Sequence, residues 1–360
     1  MKVAFFFILS KIEMDLGRKN IASLEKMLES APMRTVILSH YNPDGDAIGS
    51  SLAWAGLLEN MGHSVTCIVP NKYPYFLNWI PGVEKIRIFK EDAPACEKAI
   101  LEAEAIFCLD FNNISRMEGL SEIIDRASDT PKILIDHHLQ PPKKYYTLMF
   151  SFPEASSTSF LVYKIIEAMG RTDIIDKDMA SALYTGMMTD TGNFTFSNLT
   201  PDLYRTIAVL VEKGIDIPRI NVEVYNSFTE GRLRLLSYAL GPKMQLIEDG
   251  TVAYISLKES EMRRFGFQQG DSEGFVNYPL SIKGVKMSAM FLQTRKFIRI
   301  SLRSRGEVDV NVFARKYFEG GGHRNAAGGK SFVSMEQTLE RYKQCVHEFF
   351  HPEQAPQITE

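Results

Sequence analysis

One short segment of the chain, SHYNPDGDAIGS, spaces histidine and aspartate residues in a pattern that suits metal binding. His40, Asp44 and Asp46 follow a predicted strand and precede a predicted helix. Pro43 and Gly45 favour a sharp bend, which would let the three side chains converge. A plainer interpretation makes Asp46 the N-cap of the helix and His40 a loop residue. This segment alone does not decide between the two interpretations.

Further carboxylates and imidazoles follow two other apolar runs and one helical pattern. Asp110 ends the run AIFCLD, Asp136 ends KILID and is followed by His137 and His138, and Asp190 follows the helical stretch DMASALYTGMM. The carboxyl ends of parallel strands meet at one edge of a sheet, where ligand sites form. We therefore expect these groups to gather at the same edge as the first segment.

Four aspartates at one edge would repel one another and would have to bind protons unless cations held them. Two divalent cations would balance their charge. The ligands are oxygen and imidazole without thiolate, which favours Mn²⁺ or Mg²⁺ over structural zinc, and the two histidines favour Mn²⁺. Two cations about 3.5–4 Å apart are the usual arrangement for hydrolysing phosphate esters. The four aspartates are Asp44, Asp46, Asp110 and Asp190.

The elements that must position these groups are predicted from alternating apolar and amphipathic stretches between residues 34 and 217. The runs TVILS, SVTCIV, AIFCLD and KILID have the length and composition of buried strands. AIGSSLAWAGLLENMG, TSFLVYKIIEAMG and DMASALYTGMM have helical spacing. This alternation predicts an α/β domain in which helices cover both faces of a parallel sheet.

A second pattern begins near Met244. MQLIE and TVAYISL flank Asp249-Gly250, which is a strong hairpin signal. VKMSAMFLQ and KFIRISLRS are predicted strands, and residues 312–318 and 335–350 are predicted helices. We therefore predict a smaller α+β domain, with the active site in the cleft between the two domains.

The domain boundaries follow from these patterns. We assign residues 1–217 to the first domain, including an N-terminal extension to about residue 30, because the strand–helix alternation ends there. The polar, helix-prone stretch 218–240 is the predicted linker. Residues 241–350 form the second domain, and 351–360 are a tail.

Composition and charge limit the partners of the chain. A hydrophobic fraction of 45% and a charged fraction of 24% are those of a soluble globular protein. The net charge of −3 argues against long nucleic acid as a partner, because such binders usually carry a basic surface. A homodimer is an option that the sequence leaves open.

Cysteine usage and the N-terminus bear on location. The four cysteines are scattered without a CxxC pair, which is typical of reduced thiols in a cytoplasm. Lys2 precedes the apolar stretch VAFFFIL, which resembles a weak signal peptide but is too short to span a bilayer and lacks a cleavage site. We therefore predict a cytoplasmic protein, with Met14 as an alternative start.

The second half of the chain is locally basic. From Lys283 to Lys330 there are eleven Lys or Arg residues against three acidic ones. The plainer interpretations are a solvated face and a glycine turn, but basic residues that alternate with apolar ones and end at a glycine cluster favour anion binding. Arg116 is a further candidate for a phosphate contact. The candidates in the second half are Arg303, Arg305, Gly320, Gly321, Gly322, His323 and Arg324.

In combination, these motifs resemble the DHH/DHHA1 phosphoesterase family. The matching segments are HYNPDGDAIGS, the Asp of CLDFNN, IDHH, the Asp of MTDTG, and EGGGHRNAAGG, all in order between about residues 30 and 350. One DHH tripeptide means little, but five ordered motifs are specific. The similarity is greatest to the nanoRNase branch.

The resemblance implies a role for each residue of the predicted site. His138 would face the substrate phosphate, and Asp136 would orient a histidine without touching a cation. The residues alone support the cluster as a whole and do not assign each ligand to a cation. One cation would be held by His40 and Asp44, the other by Asp46, His137 and Asp190, with Asp110 between them.

The implied activity is hydrolysis of short nucleotide substrates. These would be oligoribonucleotides of about two to five nucleotides, since one basic module offers few phosphate contacts, and 3′-phosphoadenosine 5′-phosphate. A phosphodiesterase for cyclic dinucleotides or their linear products is an alternative. A RecJ-like single-strand exonuclease would need additional nucleic-acid-binding domains. A non-catalytic nucleotide-binding regulator would be expected to have lost ligands, and all six are present.

Overall fold

A computed structural model describes residues 14–195 and 199–351. The N-terminal stretch that resembles a signal peptide, and the tail from residue 352 onward, lie outside the described residues. Within those two ranges no helix has the length and apolar character needed to cross a bilayer. All four cysteines are free and buried.

The first half of the chain forms the predicted parallel sheet. Its six strands pair in the order β3-β2-β1-β4-β5-β6, and every pairing is parallel. The direction of the strand order therefore changes between β1 and β4. The strands are β1 (Arg34–Leu38), β2 (Ser64–Val69), β3 (Arg87–Ile88), β4 (Ala105–Leu109), β5 (Lys132–Asp136) and β6 (Leu148–Ser151).

Alternate residues of each strand face two hydrophobic cores, which explains why these runs are apolar throughout. Ile37 and Phe107 lie in the larger core, whereas their neighbours Val36 and Ile106 lie in the smaller core on the other face. Helices therefore cover both faces, as predicted. The larger core is covered by α1 (Arg18–Ser30), α2 (Gly45–Asn60), α5 (Thr158–Ala168), α6 (Lys177–Asp190) and α7 (Pro201–Glu212), and the smaller by α3 (Ala93–Leu101) and α4 (Ser121–Arg126).

Two short helices lead from the first sheet to the second. These are α8 (Ile217–Asn221), which continues into a π-helical turn at Val222–Asn226, and α9 (Glu230–Leu240). Polar contacts also join the two halves directly. The Gln269 side chain donates to the Lys72 carbonyl at 2.5 Å, and Arg315 donates to Gln140 at 2.9 Å.

The second half forms a mixed sheet. Its strands pair in the order β11-β12-β10-β9-β8-β7, and only β8 and β9 are parallel. The predicted hairpin is present as β7 and β8. The elements are β7 (Met244–Ile247), β8 (Val252–Leu257), α10 (Glu259–Arg264), β9 (Met287–Gln293), β10 (Ile298–Ser304), α11 (Val310–Tyr317), β11 (Gly321–His323), β12 (Ala326–Ser331) and α12 (Met335–Phe350).

The fold class is confirmed, with local differences. The strands β3, β6, β11 and β12 were not predicted, since they are short or rich in glycine and alanine. Asp190 was expected after its helix and is instead the last residue of α6. The predicted linker region contains helices, and the predicted domain boundaries stay a prediction.

Candidate active site

The strand ends of the first sheet bring the predicted groups together. Asp110 directly follows β4, Asp136 is the last residue of β5, and His40 lies two residues beyond β1. Since β1 and β4 are the strands between which the order changes direction, the groups lie at a topological switch point. Open α/β sheets bind their ligands at such points.

Asp110 lies at the centre of the cluster. The Thr158 hydroxyl donates to its Oδ1 at 3.0 Å. The Nε2 atom of His40 lies 3.3 Å from Oδ2, and that of His137 lies 3.6 Å from Oδ1. Its φ of 64° is left-handed, a conformation that aspartate and asparagine tolerate better than most side chains. Strained backbone of this kind often marks a functional position.

Asp44 and Asp46 cap two different helices. Asp44 is the N-cap of α2 and accepts the N–H groups of Asp46 and Ala47 at 3.0 and 3.1 Å. The plainer interpretation, in which Asp46 is the N-cap, is therefore wrong. The buried Asp46 carboxylate instead accepts the N–H groups of Thr158 and Ser159 at 2.6 and 2.8 Å, at the start of α5. Both carboxylates are thereby fixed by backbone donors.

Asp110 belongs to three groups of possible metal ligands, and two of them combine it with other predicted metal ligands. The ligand atoms of each of these two groups lie within 4.8 Å of one another, so both groups could hold a metal ion. The carboxylate of Asp190 lies 3.5 Å from Nε2 of His137 and so extends the second group. The first group is His40, Asp44 and Asp110, and the second is Asp46, Asp110 and His137.

Backbone carbonyls orient the two histidines of these groups. Nδ1 of His40 lies 3.0 Å from the Tyr41 carbonyl, and Nδ1 of His137 lies 3.2 Å from the Ala155 carbonyl. Because a carbonyl oxygen only accepts, each Nδ1 carries the proton. Each Nε2 then faces the carboxylates, where a cation could take the place of its proton, as in the usual arrangement of metal-binding histidines.

The charge balance of the cluster also suits cations. Burial raises the pKa of Asp46 well above its usual range, and Asp110 and Asp190 add to this rise. Burial likewise raises the pKa of Asp190 to about 7, although His137 opposes the rise. For His137 burial would lower the pKa, but Asp190, Asp110 and Asp46 outweigh it and raise the pKa to about 9. The cluster thus retains protons that cations could replace.

Asp136 and His138 form the third group with Asp110, but they are bonded to each other, and Nδ1 of His138 lies 3.8 Å from Oδ1 of Asp110. Nδ1 of His138 lies 2.7 Å from Oδ1 of the fully buried Asp136. Burial lowers the pKa of His138, and the positive charge of Arg116 lowers it further, against the effect of Asp136. The imidazole is therefore neutral and donates its Nδ1 proton to Asp136, which leaves Nε2 as an acceptor.

His323 brings the second sheet to the cluster. Its ring centroid lies 4.7 Å from that of His137 and 4.8 Å from that of His138. Burial, together with these two imidazoles, lowers the pKa of His323 to about 2, so the ring is neutral. Its Nε2 is buried and has no hydrogen-bond partner in the described part of the chain.

Arg303 approaches the same carboxylates from β10. Burial lowers the pKa of its guanidinium, and the charges of Glu273, Asp190 and Asp44 oppose this effect. Nη1 donates to the Leu302 carbonyl at 3.0 Å. Nε is buried without a hydrogen-bond partner among the residues that the structure describes.

The other candidates of the second half lie farther out. Arg305 and Arg324 are exposed, and Arg324 donates to the Glu307 carbonyl at 3.2 Å.

The glycines of this segment have a structural role that the sequence did not suggest. A Cβ atom on Gly320 would overlap the Gly328 carbonyl, and one on Gly322 would lie 2.5 Å from the Ala326 carbonyl. Close pairing of β11 with β12 therefore requires glycine at both positions.

Sequence reasoning missed three residues near the site. Thr158 bonds both Asp46 and Asp110, and Asn311 accepts the Gly322 N–H at 3.0 Å. Arg299 lies on the same face of β10 as Arg303 and donates to the Ser272 hydroxyl at 3.1 Å. The period-two alternation of β10 could have identified Arg299. Thr158 and Asn311 had no comparable signal.

The two halves match two known domains. Residues 34–187 match the DHH family, N-terminal domain, and residues 249–351 match the DHHA1 domain. The chain belongs to the DHH/DHHA1 family. This membership confirms the resemblance inferred from the five motifs, and it accounts for their order along the chain.

Several known proteins are similar to this one over most of the chain. The crystal structure of an exopolyphosphatase-related protein from Bacteroides fragilis shares 42% identity, with a TM-score of 0.87, and the alignment covers 94% of this chain and 98% of that one. The bifunctional oligoribonuclease and PAP phosphatase NrnA of Thermus thermophilus is 28% identical over 87% of this chain and 89% of its own. The cyclic-di-AMP phosphodiesterase PdeA of Listeria monocytogenes is 27% identical, over 88% of this chain and 48% of its own.

Proposed function

We propose that this chain hydrolyses phosphoester bonds in short nucleotide substrates with the help of two divalent cations. The observation that carries the proposal is the position of Asp110, whose carboxylate groups with His40 and Asp44 on one side and with Asp46 and His137 on the other, the ligand atoms of each group lying within 4.8 Å of one another. A carboxylate shared in this way suits a pair of neighbouring cations. The similarity to an oligoribonuclease and PAP phosphatase supports phosphoester hydrolysis as the reaction.

The ligand chemistry supports Mn²⁺, with Mg²⁺ as the alternative. The cluster offers carboxylate oxygens and two imidazole Nε2 atoms, and its backbone-oriented histidines are prepared to bind metal. Bound cations would supply Lewis acidity to the substrate phosphate. We assign His40 and Asp44 to one cation, Asp46, His137 and Asp190 to the other, and Asp110 to both.

The remaining residues of the site would bind and orient the substrate. We propose that His138, held by Asp136, faces the phosphate. His323 and Arg303 each keep a buried nitrogen without a hydrogen-bond partner among the described residues, so both could donate to the substrate. Arg116 would add positive charge near His138. Arg305 and Arg324 are exposed and would contribute only longer-range attraction.

Short substrates are favoured by the charge of the chain. Binders of long single strands gain affinity from many phosphate contacts along a basic groove. Here the net charge is −3, and the basic residues are concentrated between Lys283 and Lys330. We therefore propose oligoribonucleotides of about two to five nucleotides and 3′-phosphoadenosine 5′-phosphate as substrates. A cyclic-dinucleotide phosphodiesterase is a second candidate, favoured by the similarity to PdeA.

A substrate panel tests the proposal. The purified chain with Mn²⁺ would be offered a dinucleotide, a longer oligonucleotide, a cyclic dinucleotide and 3′-phosphoadenosine 5′-phosphate at equal concentrations. We expect the dinucleotide and 3′-phosphoadenosine 5′-phosphate to be hydrolysed fastest. Preferred cleavage of the cyclic dinucleotide would select the second candidate. No hydrolysis of any of them, by protein that binds Mn²⁺, would refute the proposed reaction.

A further inference from the structure

A further group of possible metal ligands lies in the second half of the chain and shares no residue with the carboxylate cluster. Glu248 follows β7, and His347 and His351 lie at the C-terminal end of α12. One Glu248 oxygen is 3.2 Å from Nδ1 of His347, and the other is 2.9 Å from Nε2 of His351. The three ligand atoms lie within 4.8 Å of one another.

The end of α12 and the turn after β7 both have a local structure that favours this arrangement. His347 and His351 are four residues apart, so a helix presents them on one face, and their ring centroids are 4.7 Å apart. Glu248 and the next residue, Asp249, both have a φ of 50°, a left-handed conformation that costs about 1 kcal/mol or more for a residue other than glycine. This tight turn holds the Glu248 carboxylate against the end of α12.

We propose that Glu248, His347 and His351 bind one divalent cation of the zinc class. Two imidazoles and one carboxylate are a known zinc ligand set, with a fourth position left for water. Tetrahedral zinc with bonds of about 2.0–2.1 Å places its ligand atoms about 3.3 Å apart. The separations of 2.9 and 3.2 Å between the carboxylate oxygens and the ring nitrogens therefore need little adjustment.

Access and electrostatics also suit a cation here. The side chains of His347 and His351 are 56% and 42% exposed, so an ion can reach their nitrogens from solvent. The negative end of the helix dipole lies where α12 ends and favours positive charge. Ca²⁺ and Mg²⁺ prefer sites made of oxygen ligands, so the two imidazoles select against them.

The cation would join the β7–β8 hairpin to the last helix. Among the described residues, strand β7 lies at the edge of its sheet and pairs with β8. Helix α12 packs on the core of that sheet through Tyr342 and Val346. An ion that binds the folded form alone stabilises it by mass action. We therefore expect Zn²⁺ to raise the midpoint of thermal unfolding by about 3 °C or more through this site.

Zinc binding by the full chain and its variants tests the proposal. Equilibrium dialysis against Zn²⁺ gives the number of ions bound per chain, and thermal unfolding with and without Zn²⁺ gives the stabilisation. We expect the wild type to bind one ion more than His347→Gln or His351→Gln. Most of the stabilisation at this site should be lost in both variants, whereas hydrolysis with Mn²⁺ should be unchanged because neither histidine belongs to the candidate active site.

Two further variants complete the test. Glu248→Gln keeps a hydrogen-bond acceptor at the turn and should also bind one ion fewer, so it decides the question if a histidine variant does not fold. Glu348→Gln is the matched control, since Glu348 lies on the same helix but pairs with Lys316 at 2.8 Å, and it should bind zinc like the wild type. The same number of ions in all five proteins would overturn the proposal. So would variants that unfold at lower temperature without binding fewer ions.

Discussion

The two sheets contribute to the candidate active site in different ways. The proposed metal ligands lie at the strand ends of the parallel sheet and on its helices, and several are held by backbone groups, although Oδ2 of Asp136 has no hydrogen-bond partner among the described residues. Asp46 accepts two backbone N–H groups, and the Nδ1 atoms of His40 and His137 each face a carbonyl. Arg303 and His323 lie on the second sheet, and each has a buried nitrogen without a hydrogen-bond partner among the described residues.

This difference indicates a division of labour. Groups fixed by the backbone keep a constant geometry, which the binding of small cations requires. A buried donor without a hydrogen-bond partner lowers the stability of the fold, and a ligand that accepts its hydrogen bond removes this cost. In this hydrolase of the DHH family, we therefore expect substitutions of the first-sheet ligands to abolish the reaction. Substitutions of the second-sheet residues should weaken substrate binding.

The largest effect is expected at the shared carboxylate. Asp110→Asn keeps a side chain that tolerates the left-handed backbone and can still accept from Thr158, but it removes the charge. Hydrolysis should fall at least about a thousandfold, because both proposed cations lose a ligand. Steady-state kinetics and metal content measure this. Asp125→Asn, at a carboxylate bonded to Tyr145 instead, should behave like the wild type. Normal turnover by folded Asp110→Asn would remove the two-cation assignment.

A smaller effect is expected from the second sheet. Arg303→Ala should raise KM about tenfold or more, since a charge-assisted hydrogen bond to a phosphate contributes about 1.5–3 kcal/mol. Metal content should not change. Arg324→Ala is the control, because its guanidinium is exposed and donates to the Glu307 carbonyl. If Arg303→Ala lost metal, or if both variants had the same KM, the proposed division between the sheets would be wrong.

The smallest effect concerns the stability of the metal-free protein. The pKa of Asp190 is raised from 3.8 to about 7, so between these values the folded state keeps a proton that the unfolded state has lost. The free energy of unfolding of the metal-free protein therefore falls as pH rises through that range. Above the range, the full destabilisation by this carboxyl is present. Asp190→Asn should be more stable than the wild type at pH 8 in EDTA, by about 1 kcal/mol or more.

Denaturant unfolding at pH 5 and pH 8 measures that difference. The advantage of Asp190→Asn should be larger at pH 8 than at pH 5 and should shrink when Mn²⁺ is added, since the wild-type carboxylate then has a partner. An advantage that does not depend on pH would show that the charge of Asp190 is not the cause.

The sequence predicted that these side chains would lie together, and it did so for a physical reason. Parallel strands end at one edge, so Asp110, Asp136 and His137 had to lie near each other once the strands were identified. Tertiary contacts decided the rest. The bonds from the start of α5 to Asp46 join residues more than a hundred positions apart. The roles of Gly320 and Gly322 depend on strands that have little intrinsic strand propensity.

The most direct test of the proposed function is a length series. RNA substrates labelled at the 5′ end, from the dinucleotide to a long single strand, would be hydrolysed with Mn²⁺ at two salt concentrations. A chain with one basic module should degrade substrates of about two to five nucleotides fastest and lose activity only gently as salt rises. Faster, processive degradation of the long strand, with a steep loss of activity in salt, would contradict the proposal and indicate a single-strand exonuclease.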